Sequence, residues 1–92
     1  MKARDKRRYA IIGRMANSTE VYQRETADGA ETVTIMSYIG ADVGDSDEIR
    51  LIVERNGAVV DDRIAYFGTA GRQWLEERRA AYAVDGFQPI AG

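Results

Sequence analysis

The sequence predicts an α+β fold: an antiparallel sheet of about five strands in a meander, with one C-terminal helix packed on one face. Three observations predict it. Two hairpin-type dipeptides, Asp28-Gly29 and Asn56-Gly57, each lie between stretches rich in β-branched and aromatic residues. Apolar residues over 31–40 and 49–67 recur with a period of two. Past residue 68 the period changes. Trp74 and Leu75 are followed seven positions later by Ala81 and Tyr82, two turns along one helix face.

The elements follow in order. "YAIIGRM" (9–15) reads as a first strand, and "ANS" (16–18) as a turn. "TEVYQRETA" (19–27) reads as a second strand. Asp28-Gly29 suits a two-residue turn that needs positive φ, and "ETVTIMSYIG" (31–40) is the third strand. "ADVGDSDE" (41–48) is a polar loop. "IRLIVER" (49–55), the Asn56-Gly57 turn and "AVVDDRIAYF" (58–67) form a second hairpin. Thr69 is the expected N-cap of a helix over 70–83, Gly71 a weak point within it, and Gly86 its stop. Arg72 with Glu76, and Glu76 with Arg79, are expected to support its outer face. Residues 87–92 read as a tail, with Phe87 folded back on the body.

Two-residue turns fix a register. They place Tyr22 opposite Ile35, Arg24 opposite Val33 and Val21 opposite Met36. They also place Val53 opposite Val60 and Ile49 opposite Ile64. Ile49, Leu51, Val53, Val60, Ile64 and Tyr66 then share the face that meets Trp74 and Leu75. Asp62 interrupts that face and marks a bulge, a strand end or a different register. The other face also carries apolar residues, among them Ile52, Val59, Ala65 and Phe67. One helix covers one face only. Either the sheet curls over its second face, or a patch with Val21, Met36 and Tyr38 is left for a partner.

Ninety-two residues make a single domain with one modest core, with stability of about 5–10 kcal/mol. There is no Cys and no His, which excludes disulfides, thiolate zinc sites, Cys nucleophiles and any triad with a His base. No stretch of the sequence is apolar enough for a membrane span or a signal peptide, so a cytoplasmic protein is expected. The net charge of −2 is unevenly spread. Residues 1–8 carry five basic side chains against one acidic, a net of +4, which leaves −6 for residues 9–92. An acidic body behind a basic leader disfavours non-specific nucleic-acid binding and suits a basic protein surface.

Acidic clusters are the candidate contacts. Asp42, Asp45, Asp47 and Glu48 fall within seven residues, without the ligand order of a calcium loop. Such a loop reads either as a solvated segment or as a dock for an Arg/Lys groove. Asp61 and Asp62 are neighbours in a strand, so they point to opposite faces and cannot share a substrate. "FGTAG" (67–71) lacks the further Gly and the Lys of a phosphate loop. No metal, cofactor or catalytic residue is expected.

Asn56, Gly57, Phe67, Thr69, Trp74 and Leu75 together carry a resemblance. Over residues 50–79 the chain resembles the small arm-binding domain of phage-type tyrosine integrases, which implies a DNA-binding sheet. It departs from that family in carrying Glu54, Asp61 and Asp62 beside Arg50, Arg55 and Arg63. In size, layout and acidic body it is also similar to phage-encoded anti-CRISPR proteins. That implies a non-enzymatic inhibitor from a mobile element, which blocks a basic nucleic-acid groove of a CRISPR ribonucleoprotein. The contacts expected on this basis are Asp42, Asp45, Asp47, Glu48, Asp61 and Asp62, with Met36 and Tyr38 as apolar anchor. The alternatives are a DNA-binding accessory domain and a structural protein that dimerises through its second sheet face.

Overall fold

The structure, a computed structural model, describes residues 18–40 and 46–90. The strand expected over 9–15, the basic leader, and Asp42 and Asp45 lie outside the described residues. The described elements are β1 (Ser18–Thr26), β2 (Gly29–Tyr38), β3 (Asp47–Arg55), β4 (Ala58–Gly68), helix α1 (Gly71–Val84) and β5 (Gln88–Ile90). The sheet order is β4-β3-β2-β1-β5, and every neighbouring pair is antiparallel. Strands β1 to β4 form the meander. The helix then crosses one face and returns the chain to the far edge, where β5 pairs with β1. The stretch read as a tail therefore contains a strand. Three residues, one of them Pro89, are too few to show a period of two, and the edge position tolerates the missing N–H of the proline.

Turn chemistry explains where the register departs from expectation. The first hairpin closes at Thr26 and Gly29, so its loop is Ala27-Asp28 and Gly29 begins β2 with φ +119°. Tyr22 thus faces Val33, Arg24 faces Glu31 and Val21 faces Thr34, each two residues from the expected partner. A shift of two keeps every side chain on its expected face. The second hairpin turns at Asn56 (φ 52°) and Gly57 (φ 83°), as the dipeptide requires. Its strands slip twice, between Val53 and Glu54 and between Ile49 and Arg50 on β3. The extra residues on β4 are Val60 and Ala65. The first slip turns Ile64 away from the helix, opposite Arg50, and leaves Val60 exposed in the bulge. Both had been expected on the covered face.

The core lies between that face and α1. Ile35 and Ile49 are fully buried at its centre, with Val33 and Leu51 beside them. Leu75, Tyr82 and Phe87 close over them from the helix side, and Tyr22 from β1. Burying one such side chain is worth about 1.5–3 kcal/mol. Trp74 is half-buried against Tyr66, with the Arg78 guanidinium 4.6 Å from its ring centre.

Both helix ends are secured by residues outside the helix. The N-cap position is Ala70, one residue beyond the expected Thr69, and no side chain of the helix's own cap bonds to it. Instead Asp47 Oδ2 accepts the Gly71 N–H at 2.9 Å, while Oδ1 accepts the Gly40 N–H at 2.9 Å. Gly71 is a requirement of this joint: a Cβ there would lie 2.7 Å from the Asp47 Cβ and 2.9 Å from Ile39. At the other end the Gly86 N–H bonds to the Ala83 carbonyl at 3.3 Å and the Phe87 N–H to the Tyr82 carbonyl at 2.9 Å. Gly86 has φ +87°, and the Phe87 ring packs 4.9 Å from that of Tyr82. These are the two bonds and the apolar contact of a Schellman stop.

Candidate interaction surface

The structure separates the acidic residues singled out in the sequence. Asp47 is buried and occupied by two backbone N–H groups. Glu48 is buried too, at the start of β3. Asp61 and Asp62 point to opposite faces, as strand neighbours must. On the helix side the Arg63 Nε donates to Asp61 at 3.0 Å. On the other side Arg50 holds Asp62 through two bonds of 2.8 and 2.7 Å, which keep its carboxyl below the usual range. Tyr38 is 3 % exposed, so its ring is packed away, while Met36 is half-buried. Asp42 and Asp45 lie outside the described residues, and among those described no acidic group of three comes together in a way that would hold a metal.

Pairing also occupies the arginines. Five of the seven among the described residues bind a carboxylate: Arg24 and Arg55 on Glu31, Arg50 on Asp62, Arg63 on Asp61 and Arg79 on Glu20. The last pair is bidentate, 2.7 Å in both bonds, and ties α1 to β1 rather than joining Glu76 as the helical spacing suggested. Tyr22 also donates to Glu20 at 2.6 Å. Glu20 is held below its ordinary value, mainly by the bond from Arg79. Glu31 is held low by Arg55 first and by Arg24.

The faces of the sheet are unequal. Helix α1 covers one. The opposite face carries, row by row across the strands, Ile90, Val21, Thr34, Ile52 and Asp62, then Thr19, Met36, Arg50 and Ile64. No described helix packs on it. Ile64, Phe67, Val59 and Ile90 are exposed there, by 42 to 58 %. Tyr38 and Glu48, paired at one end of this face, are buried. The surface is thus a band of separate apolar side chains between threonines and one ion pair. Sequence reasoning found Val21, Met36, Ile52, Val59 and Phe67 for this face but missed Ile64 and wrongly added Ala65, an extra residue of the second slip that packs against the core: Asp62 in the alternation signals an irregularity without saying where the strand slips.

Both sheet edges are guarded. β5 is three residues long and contains Pro89. β4 carries two irregularities and a central Asp61-Asp62-Arg63, none of it buried. Short strands, proline, bulges and edge charges all hinder pairing with another strand. Both edges are therefore poor templates for strand addition.

No protein-family model, curated protein or solved structure matches the chain. Among the described residues no helix is long and apolar enough to cross a membrane.

Proposed function

We propose that the chain is a non-enzymatic protein-binding module, an inhibitor that occludes a surface of its partner. The observation that carries this is the sheet face opposite α1, apolar in a band and lying between two guarded edges. An interface core of this kind buries separated apolar side chains, with polar groups at its rim. The composition agrees, since a chain without Cys or His lacks the usual nucleophile and base pairs.

The acidic balance gives the partner its sign. With five described arginines already on carboxylates, Glu25, Asp28 and Glu54 remain without an ion pair among the described residues. This supports a basic protein partner over DNA, whose binding needs free Lys and Arg at the phosphates. A CRISPR ribonucleoprotein is the partner that the likeness in layout implies.

The test is an affinity capture from bacterial lysate carrying CRISPR complexes, split into nuclease-treated and untreated halves. The expected result is a basic protein or ribonucleoprotein that survives nuclease treatment. Recovery of nuclease-sensitive DNA alone would favour the accessory-domain alternative instead.

A further inference from the structure

The two hairpin turns meet at one end of the sheet, and the Asn56 side chain joins them. Asn56 belongs to the second turn and reaches across to the first. Its Oδ1 accepts the Ala30 N–H at 3.1 Å, and its Nδ2 donates to the Asp28 carbonyl at 2.9 Å. Its own backbone N–H donates to the Ala30 carbonyl at 2.9 Å. The fit is close, since a Cβ at Gly29 would fall on the Asn56 carboxamide. Gly29 is therefore fixed twice, by its φ of +119° and by this neighbour.

The residue that makes the joint also stands in a reactive pair. Asn56 is followed by Gly57, the one Asn-Gly pair of the chain. Gly57 has no side chain to shield its backbone nitrogen, and both residues are exposed to water. The space around Gly57 is open, for a Cβ there would meet nothing within 4 Å. Such a pair can close on itself. The Gly57 nitrogen loses its proton and attacks the Asn56 Cγ. A new C–N bond forms, the Cγ–Nδ2 bond breaks, and Nδ2 takes up a proton and leaves as ammonia. Water then opens the five-membered imide at either carbonyl, to aspartate or to isoaspartate. The balance is one carboxamide and one water in, one carboxylate and one ammonium out.

We propose that Asn56 is a site of spontaneous deamidation, gated by the joint between the two turns. The bonds to Ala30 and Asp28 hold the carboxamide in place, so the reaction waits for local opening of the joint. The product cannot restore it. A carboxylate has no hydrogen to donate to the Asp28 carbonyl and sets a negative charge against that oxygen. The isoaspartate form also adds a methylene to the backbone of a two-residue turn. The modification therefore runs one way: it parts the two turns and makes the chain more acidic by one charge.

The test follows the full chain in mildly alkaline buffer, folded and unfolded in urea, by intact mass and peptide mapping. The expected result is the mass gain of an amide-to-acid change at Asn56 in both, ahead of any at Asn17, which precedes Ser18. The folded chain should react more slowly by about tenfold or more, because two hydrogen bonds must open first. Asn56→Asp, which carries the product directly, should lower the urea midpoint and move the amide shifts of Asp28, Gly29 and Ala30. Equal rates in the folded and unfolded chain would overturn the gate. No gain at Asn56 in the folded chain on prolonged incubation, or Asn56→Asp with the parent's midpoint and shifts, would overturn the site and its consequence.

Discussion

At the scale of single residues, Asp47 is the clearest case of a side chain whose job is architectural. One carboxylate joins the end of β2 to the start of α1, through the Gly40 and Gly71 N–H groups. Asp47→Ala should cost about 2–4 kcal/mol, read as a lower urea midpoint, because one buried and one half-buried N–H lose their acceptor. Acid should also unfold the protein through its paired carboxylates. Glu20, Glu31 and Asp62 all titrate below their ordinary values in the fold. Their contribution is complete above the ordinary carboxylate range and is lost as the pH falls through the lower, folded values. Urea midpoints should therefore drop steadily below about pH 4.5. Glu20→Gln should flatten part of that drop, and an unchanged slope would remove the Glu20–Arg79 pair from the account.

At the scale of elements, helix and turn signals were the legible ones. The change of period after residue 68, the Asn56-Gly57 turn and the Gly86 stop all act within a few residues, so the sequence displays them directly. The bulges of β4, the pairing of β5 and the capping of α1 by Asp47 depend on residues far apart in the chain. Of these only the bulges leave a local trace, the break in alternation at Asp62, and it does not locate them. Gly71 shows the difference best. By helix propensity Gly71→Ala should stabilise α1 by about 1 kcal/mol. The close approach of Asp47 and Ile39 reverses the sign, and a loss of about 1–3 kcal/mol in thermal or urea unfolding is expected. A gain in stability would mean that this joint is looser than described. The β4 edge gives a second test at this scale. Replacing its central charges, Asp61→Val with Arg63→Val, should expose an apolar edge and produce concentration-dependent association in sedimentation velocity. A variant that stays at the parent's sedimentation coefficient would leave the bulges as sufficient protection.

At the scale of the whole molecule, the fold assigns its two sheet faces different work. One is committed to the core and the helix, and the other presents Met36, Ile52, Ile64, Phe67 and Val59 between threonines and the Arg50–Asp62 pair. Of the acidic residues singled out in the sequence, the four that are described are all engaged within the fold. Asp47 and Glu48 are buried, and Asp61 and Asp62 are held by arginines. Apolar alternation did place Val21, Met36, Ile52, Val59 and Phe67 on the face opposite α1, on which no described helix packs. The most direct measurement compares partner recovery by three forms of the chain: the parent, Val59→Lys with Ile64→Lys on the open face, and Glu77→Lys on the outer side of α1. Both variant sites are exposed, so stability should change by no more than about 0.5 kcal/mol per substitution. The account predicts loss of the captured protein with the open-face variant and full recovery with the helix variant. Recovery retained by the open-face variant and lost with Glu77→Lys would contradict it and move the contact to the helix side.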